Sequence, residues 1–189
     1  MKVSKETAAR HREALLAAAG QLFREKGFDK VGIAEIAAAA DLTHGAFYTH
    51  FASKAELCAE VLASLVGQSA DMLAATGDWR TYVESYLSAK HVHHRGNGCP
   101  LAALGGDVAR ENASLKTAFA TGLERSIEAF AGVIEQQGAV SSRGRAIFAV
   151  AAMAGALTLA RSVSPELRDE ILQVVKASLT GRSTTHGIT

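Results

Sequence analysis

The sequence predicts an all-α protein, and three observations carry that prediction. Only two prolines occur in 189 residues. Apolar residues recur at spacings of three and four, which places them on one face of a helix. The segments between breaks are rich in Ala and Leu, and aromatics make up only 6% of the chain; strands would favour β-branched and aromatic side chains instead. With 48% hydrophobic and 21% charged residues, the chain has an ordinary soluble composition. Its length suits one domain, or a small one fused to a larger one, and either can bury a core.

The first helix is expected from Lys5 to Lys26, where Leu15, Ala19, Leu22 and Phe23 form one apolar stripe. Gly27 ends it with a left-handed C-cap, which lets Phe28 fold back onto that stripe. Ile33, Ile36, Ala37 and Ala40 share a face of a short second helix, and Asp41-Leu42 make a turn. Thr43 is a good N-cap for a third helix carrying Ala46, Phe47 and Phe51, with the two phenylalanines facing inward. Ser53-Lys54-Ala55-Glu56 has capping-box spacing for a fourth, which continues through Leu57, Val61, Leu62, Leu65 and Val66 toward Ala75. Thr76-Gly77-Asp78 breaks it. Further helices are expected over Asp78–His93, Pro100–Arg110, Ser114–Gln137, Ser142–Ala160 and Pro165–Leu179. Arg95-Gly96-Asn97-Gly98 and Gly138 are loop signals, and Ser164-Pro165 sets an N-cap before a proline at the first helical position. The polar tail Arg182–Thr189 is expected to fray.

Two cysteines, Cys58 and Cys99, are too few for a disulfide framework, and MKVSKETAARHREALL contains no secretory apolar stretch. The expectation is a cytoplasmic, reduced protein. The run Ala146–Ala160 is interrupted by Gly155 and Thr158, bounded by Arg145 and Arg161, and shorter than the roughly 20 strongly apolar residues of a membrane span. It reads as a buried helix. Net charge is +1, so the distribution of charge matters more than its sum. Residues 1–55 hold eight Lys/Arg against six Asp/Glu, together with His11, His44 and His50. Alone, that asymmetry describes an ordinary solvated face.

Two short helices joined by a tight turn and packed on a longer preceding helix make a helix-turn-helix, whose second helix can enter a major groove about 12 Å wide. The start of that helix, Thr43-His44-Gly45-Ala46, is small and polar, so backbone and short side chains can approach base edges. Its other exposed positions, Tyr48, Thr49 and His50, carry hydrogen-bonding groups.

The segment GFDKVGIAEIAAAADLTHGAFYTHFASKAELCAEVL closely resembles the DNA-binding region of TetR-family transcriptional repressors. The resemblance rests on Gly27-Phe28, Ile36-Ala37, Gly45, the string Phe47-Tyr48-Thr49-His50-Phe51, Ser53-Lys54 and Leu57, and is specific over Arg12–Leu62. It implies that His44, Gly45 and Ala46 lie nearest the bases, and that Tyr48, His50 and Lys54 bind phosphates, Lys54 at a helix N-terminus that also favours an anion. Thr43 would cap the recognition helix and donate to phosphate. Two departures stand out. Val31-Gly32 replaces the usual Ser or Thr at the start of the second helix, removing a hydroxyl donor, and Asp41 replaces the usual turn glycine, which Asp tolerates because it reaches left-handed conformations better than most residues.

The resemblance further implies a division into a helix-turn-helix domain over 1–52, a connecting helix over 53–75 and a ligand-binding and dimerisation domain over 76–189. The partners implied are a double-stranded DNA operator, a second copy of the chain and a small-molecule inducer, with no cofactor, metal or membrane. Ala146–Ala160 and the amphipathic Leu167, Ile171, Leu172, Val174, Val175 and Leu179 suit a four-helix interface between two copies; the alternative is that Ala146–Ala160 is the central helix of its own domain. Gly98-Cys99-Pro100-Leu101-Ala102-Ala103-Leu104 is similar to a segment of TetR-family members that include electrophile and redox sensors. Cys99 precedes a helix whose dipole, with His93, His94 and Arg95 nearby, suits a reactive thiolate; the alternative is a small buried hydrophobe. His91, His93, His94 and Cys99 match no zinc spacing, and histidines closing a helix complement its dipole. The chain has no GxSxG, P-loop, dinucleotide fingerprint or HExxH, and no paired carboxylates at catalytic spacing, so a helical enzyme is the weaker alternative to a regulator.

Overall fold

The structure, a computed structural model, describes residues 4–76, 78–136 and 142–181. These form ten α-helices, with no strand among the described residues. Gly77 and Gly138, expected as breaks, Gln137, expected as the end of a helix, and the tail Arg182–Thr189, expected to fray, lie outside the described residues. The chain forms two compact units, one of Met1–Val66 with Arg95–Gly122 and the other of Gly67–His94 with Leu123–Thr189.

The first unit is built on α1, Lys5–Lys26. The Ser4 hydroxyl opens it by accepting the Thr7 N–H, and Leu15, Ala19 and Phe23 form its fully buried stripe. Gly27 ends it, donating its N–H to the Phe23 carbonyl at 2.8 Å. Its conformation differs from the expected left-handed cap: φ is +83° but ψ is 167°, an extended backbone at positive φ that only glycine adopts easily. The return of Phe28 onto the stripe occurs as the spacing predicts, with the Phe23 and Phe28 rings 5.1 Å apart.

Next come α2, Ile33–Ala39, and α3, His44–Phe47. Between them Asp41 stands at φ +56°, the left-handed position that its residue type tolerates. Regular helix in α3 ends earlier than the sequence suggests, but Phe51 donates to the Phe47 carbonyl at 3.1 Å, so one further turn carries both phenylalanines into the core. α4 spans Lys54–Thr76. Its start carries a shifted capping box: the Glu56 N–H donates to the Ser53 hydroxyl, while the Glu56 carboxylate accepts from Ala52. α7, Pro100–Val108, and the beginning of α8, Ala113–Gln136, complete this unit through buried Leu104, Val108 and Leu115.

In the second unit the segment expected as one helix over Asp78–His93 is two, α5 at Trp79–Tyr86 and α6 at Ala89–His93. The break is local chemistry. Leu87 leaves helical geometry while staying fully buried, and the Ser88 hydroxyl donates to the Ser85 carbonyl and accepts the His91 N–H. Trp79, Tyr82 and Phe130 stack edge to face at 5.3 to 5.5 Å, and the Trp79 indole N–H donates to the Leu179 carbonyl at 3.0 Å. α9, Ser142–Ala160, packs on α10, Pro165–Thr180, which Ser164 caps. By length and composition alone α9 is the one helix among the described residues apolar enough to cross a membrane. Its buried face, Ala146, Ala149, Val150, Met153, Ala156, Leu157 and Ala160, is that of a packed helix.

Candidate nucleic-acid interface

The short α3 presents its start and hides its end. Thr43, His44 and Gly45 are exposed, Phe47 is buried, and a Cβ placed on Gly45 would meet nothing within 4 Å. The Thr43 hydroxyl oxygen accepts the Ala46 N–H at 3.2 Å. That capping bond uses an acceptor lone pair and leaves the O–H proton to donate elsewhere. Phe47 and Phe51 anchor the segment from below, their rings 5.7 Å apart.

The other expected side chains each have their own surroundings. Tyr48 is 52% exposed, and its ring stands 5.4 Å from His44 and 5.3 Å from Phe47. The Thr49 hydroxyl donates to the Ala46 carbonyl at 2.7 Å, so its proton is committed within its own turn. His50 lies edge to face with His11 of α1 at 6.0 Å. Burial, followed by the nearby His11 and Arg12, holds the His50 imidazole below its ordinary pKa. Arg12 lies over the Phe51 ring at 4.8 Å and pairs through both terminal nitrogens with the Glu60 carboxylate. Lys54, half-buried at the start of α4, donates from its ammonium to the Phe28 carbonyl.

The structure thus brings Thr43, His44, Gly45, Ala46, Tyr48, Thr49, His50 and Lys54 into one unit, and adds His11, which the sequence reading did not select. His11 had a signal: it stands four residues before Leu15, at the edge of the first apolar stripe. Gly32 begins α2 with no side-chain cap, as the loss of the usual hydroxyl there implies.

Cys99 stands at the N-cap position of α7 and is only 6% exposed; Gly96 and Gly98 beside it are buried too. The loop does not open onto the sulfur as the sequence suggested. Cys58 is buried within α4, and that burial pushes its thiol up to about 11. His91 is occupied structurally, its Nδ1 paired with the Tyr86 carbonyl at 2.8 Å and its ring against Tyr86 at 4.6 Å.

A capped short helix with an open, polar start, held over a tight turn on an apolar base, defines a helix-turn-helix. Residues 15–61 match the family of bacterial regulatory proteins, tetR family. Over 62 residues the chain is 40% identical to the HTH-type transcriptional repressor BepR of Brucella suis biovar 1 (strain 1330), a match covering 33% of this chain and 30% of that relative. The fold of the chain is also similar to that of solved structures. Reduced E. coli NemR superposes with a TM-score of 0.73 at 21% identity, covering 90% of this chain and 96% of that one. A TetR transcriptional regulator from Legionella pneumophila gives 0.75 at 20% identity, covering 96% and 98%. A TetR-family regulator from Cytophaga hutchinsonii gives 0.76 at 16%, covering 98% and 100%.

Proposed function

We propose that this protein is a cytoplasmic transcriptional repressor that binds a palindromic operator as a homodimer and leaves it when a small molecule is bound. The observation that carries the reading is the open start of α3. In it His44, Gly45 and Ala46 read base edges, while Thr43, Tyr48, His50 and Lys54 hold the phosphates on either side. Residues 1–52 act as the DNA reader, 53–75 as the connecting helix and 76–189 as the dimerisation and ligand-sensing part. The protein works by binding rather than by catalysis.

An exposed apolar face supports the dimer. Ile147, Phe148 and Leu159 of α9 and Leu167 and Val174 of α10 are all exposed, Phe148 by 63%. Leu167 and Val174 are seven residues apart and so share a helix face. Two copies related by a two-fold axis would cover both sets in a four-helix contact and present two recognition helices to half-sites roughly one helical turn apart. Selection of bound duplex from a random pool, paired with sedimentation of the wild type and Phe148→Glu, tests this. A palindrome and a wild-type dimer are expected, with Phe148→Glu monomeric and binding far more weakly. A wild-type monomer at micromolar concentration, or no palindrome among the selected sequences, would sink the reading.

A further inference from the structure

The turn joining α1 to α2 depends on a side chain from a distant part of the sequence. Phe28 is held from both ends of its own backbone. Its N–H donates to Oδ2 of Asp107, on the last turn of α7, at 3.3 Å. Its carbonyl accepts from the Lys54 ammonium at the start of α4. The other Asp107 oxygen, Oδ1, accepts from Arg110 at 2.7 Å. The same carboxylate fills the space beside Gly27: a Cβ built there would lie 2.6 Å from Oδ2. The Phe28 ring is buried against Phe23 and is 3% exposed.

A buried backbone N–H left without an acceptor is costly, so the segment follows whatever supplies one. Here the supplier is α7. Only Asp29, Lys30, Val31 and Gly32 separate Phe28 from α2, and α2 packs directly on α3. Displacing the Phe28 backbone therefore tilts the pair of helices that carries the recognition surface.

We propose that Asp107 is a positioning residue for DNA binding, holding the Gly27–Phe28 turn so that α2 and α3 stay in the orientation that reads DNA. This rests on the DNA-binding reading above. Asp107 contacts no base or phosphate, and it sets the fraction of molecules in the competent arrangement. Apparent affinity scales with that fraction.

The sign of the effect separates positioning from simple charge. Removing a negative charge from a protein that binds a polyanion should tighten binding on electrostatic grounds. Positioning predicts the reverse. Asp107→Ala should bind the selected duplex about tenfold more weakly, the effect of one ordinary hydrogen bond, with an unchanged dependence on salt. Asp107→Asn keeps an acceptor and should bind close to wild type. Hydrogen exchange read by NMR gives a second, DNA-free readout: the Phe28 amide should exchange faster in Asp107→Ala while Leu15 and Phe23 keep their protection. Asp107→Ser, whose hydroxyl is too short to span the gap, makes the same test should the alanine variant not fold. The proposal is overturned if Asp107→Ala binds as tightly as wild type or more so, if Asp107→Asn is as weak as Asp107→Ala, or if lost protection spreads evenly through α1. Failure of the wild type itself to bind any duplex would instead bring down the DNA-binding reading, and this proposal with it.

Discussion

Lys54 has three ammonium protons and two uses for them. One goes to the Phe28 carbonyl; the phosphate contact proposed above would use the others, at a helix N-terminus where the dipole adds to the charge. Lys54→Ala should accordingly weaken binding to all sequences alike and reduce the salt slope by about one per subunit, as read from titrations at several ionic strengths. Substituting His44 should change which bases are preferred and leave the slope in place. A changed preference in Lys54→Ala with an unaltered slope would reverse the two roles. At this scale the sequence was informative where chemistry is local: the Thr43 and Ser53 caps and the inward Phe47 and Phe51 follow from spacing alone. The His11–His50 pair and the Asp107–Phe28 bond were not legible, because 39 and 79 positions separate the partners and only tertiary packing joins them.

Helix boundaries followed their punctuation closely, with α1 ending at Lys26 before Gly27 and α10 starting at Pro165 after Ser164. The break between α5 and α6 escaped notice because apolar periodicity runs on through Tyr82, Val83, Tyr86 and Leu87, all buried. The only sign of it was Ser88, one hydroxyl among many. Close helix approach is equally invisible in sequence. In α8, a Cβ on Gly122 would lie 2.5 Å from the Val66 Cβ of α4, whereas one on Gly132 would meet nothing within 4 Å. Gly122→Ala should therefore destabilise the fold by about 1–3 kcal/mol through overpacking. Gly132→Ala should stabilise it by about 0.5–1 kcal/mol, the ordinary helical preference for alanine. Urea unfolding of the two variants is the check, and equal effects would mean that the α4–α8 contact can relax freely.

For the molecule as a whole, two histidines bear on its response to mild acid. Burial holds His50 and His91 below the ordinary value of 6.5. Both are therefore neutral in the folded chain at a pH where the unfolded chain has begun to bind protons. The unfolded state then carries more protons, and stability rises with pH across that window. Unfolding midpoints should fall as pH drops from 6.5 toward the lowered folded values, with a shallower fall in the His50→Gln/His91→Gln double variant. A double variant with the wild-type profile would assign the acid response elsewhere. Composition and motif disclosed the all-α class and the helix-turn-helix. They did not disclose that residues 95–122 join the amino-terminal helices, because a contact grouping made from two separated stretches leaves no continuous pattern to read.

That discontinuity has a consequence for synthesis. The amino-terminal unit lacks part of its own interior until Gly122 has been made: Leu104, Val108 and Leu115 are core residues, and Asp107 is the acceptor for Phe28. At about 5–20 residues per second, the ribosome takes roughly 3 to 11 s to extend a chain from Val66 to Gly122. Throughout that interval α1 to α3 exist without the side chains that finish them. A nascent chain stalled soon after Val66 therefore holds every residue of α3 and still lacks the acceptor for the Phe28 N–H.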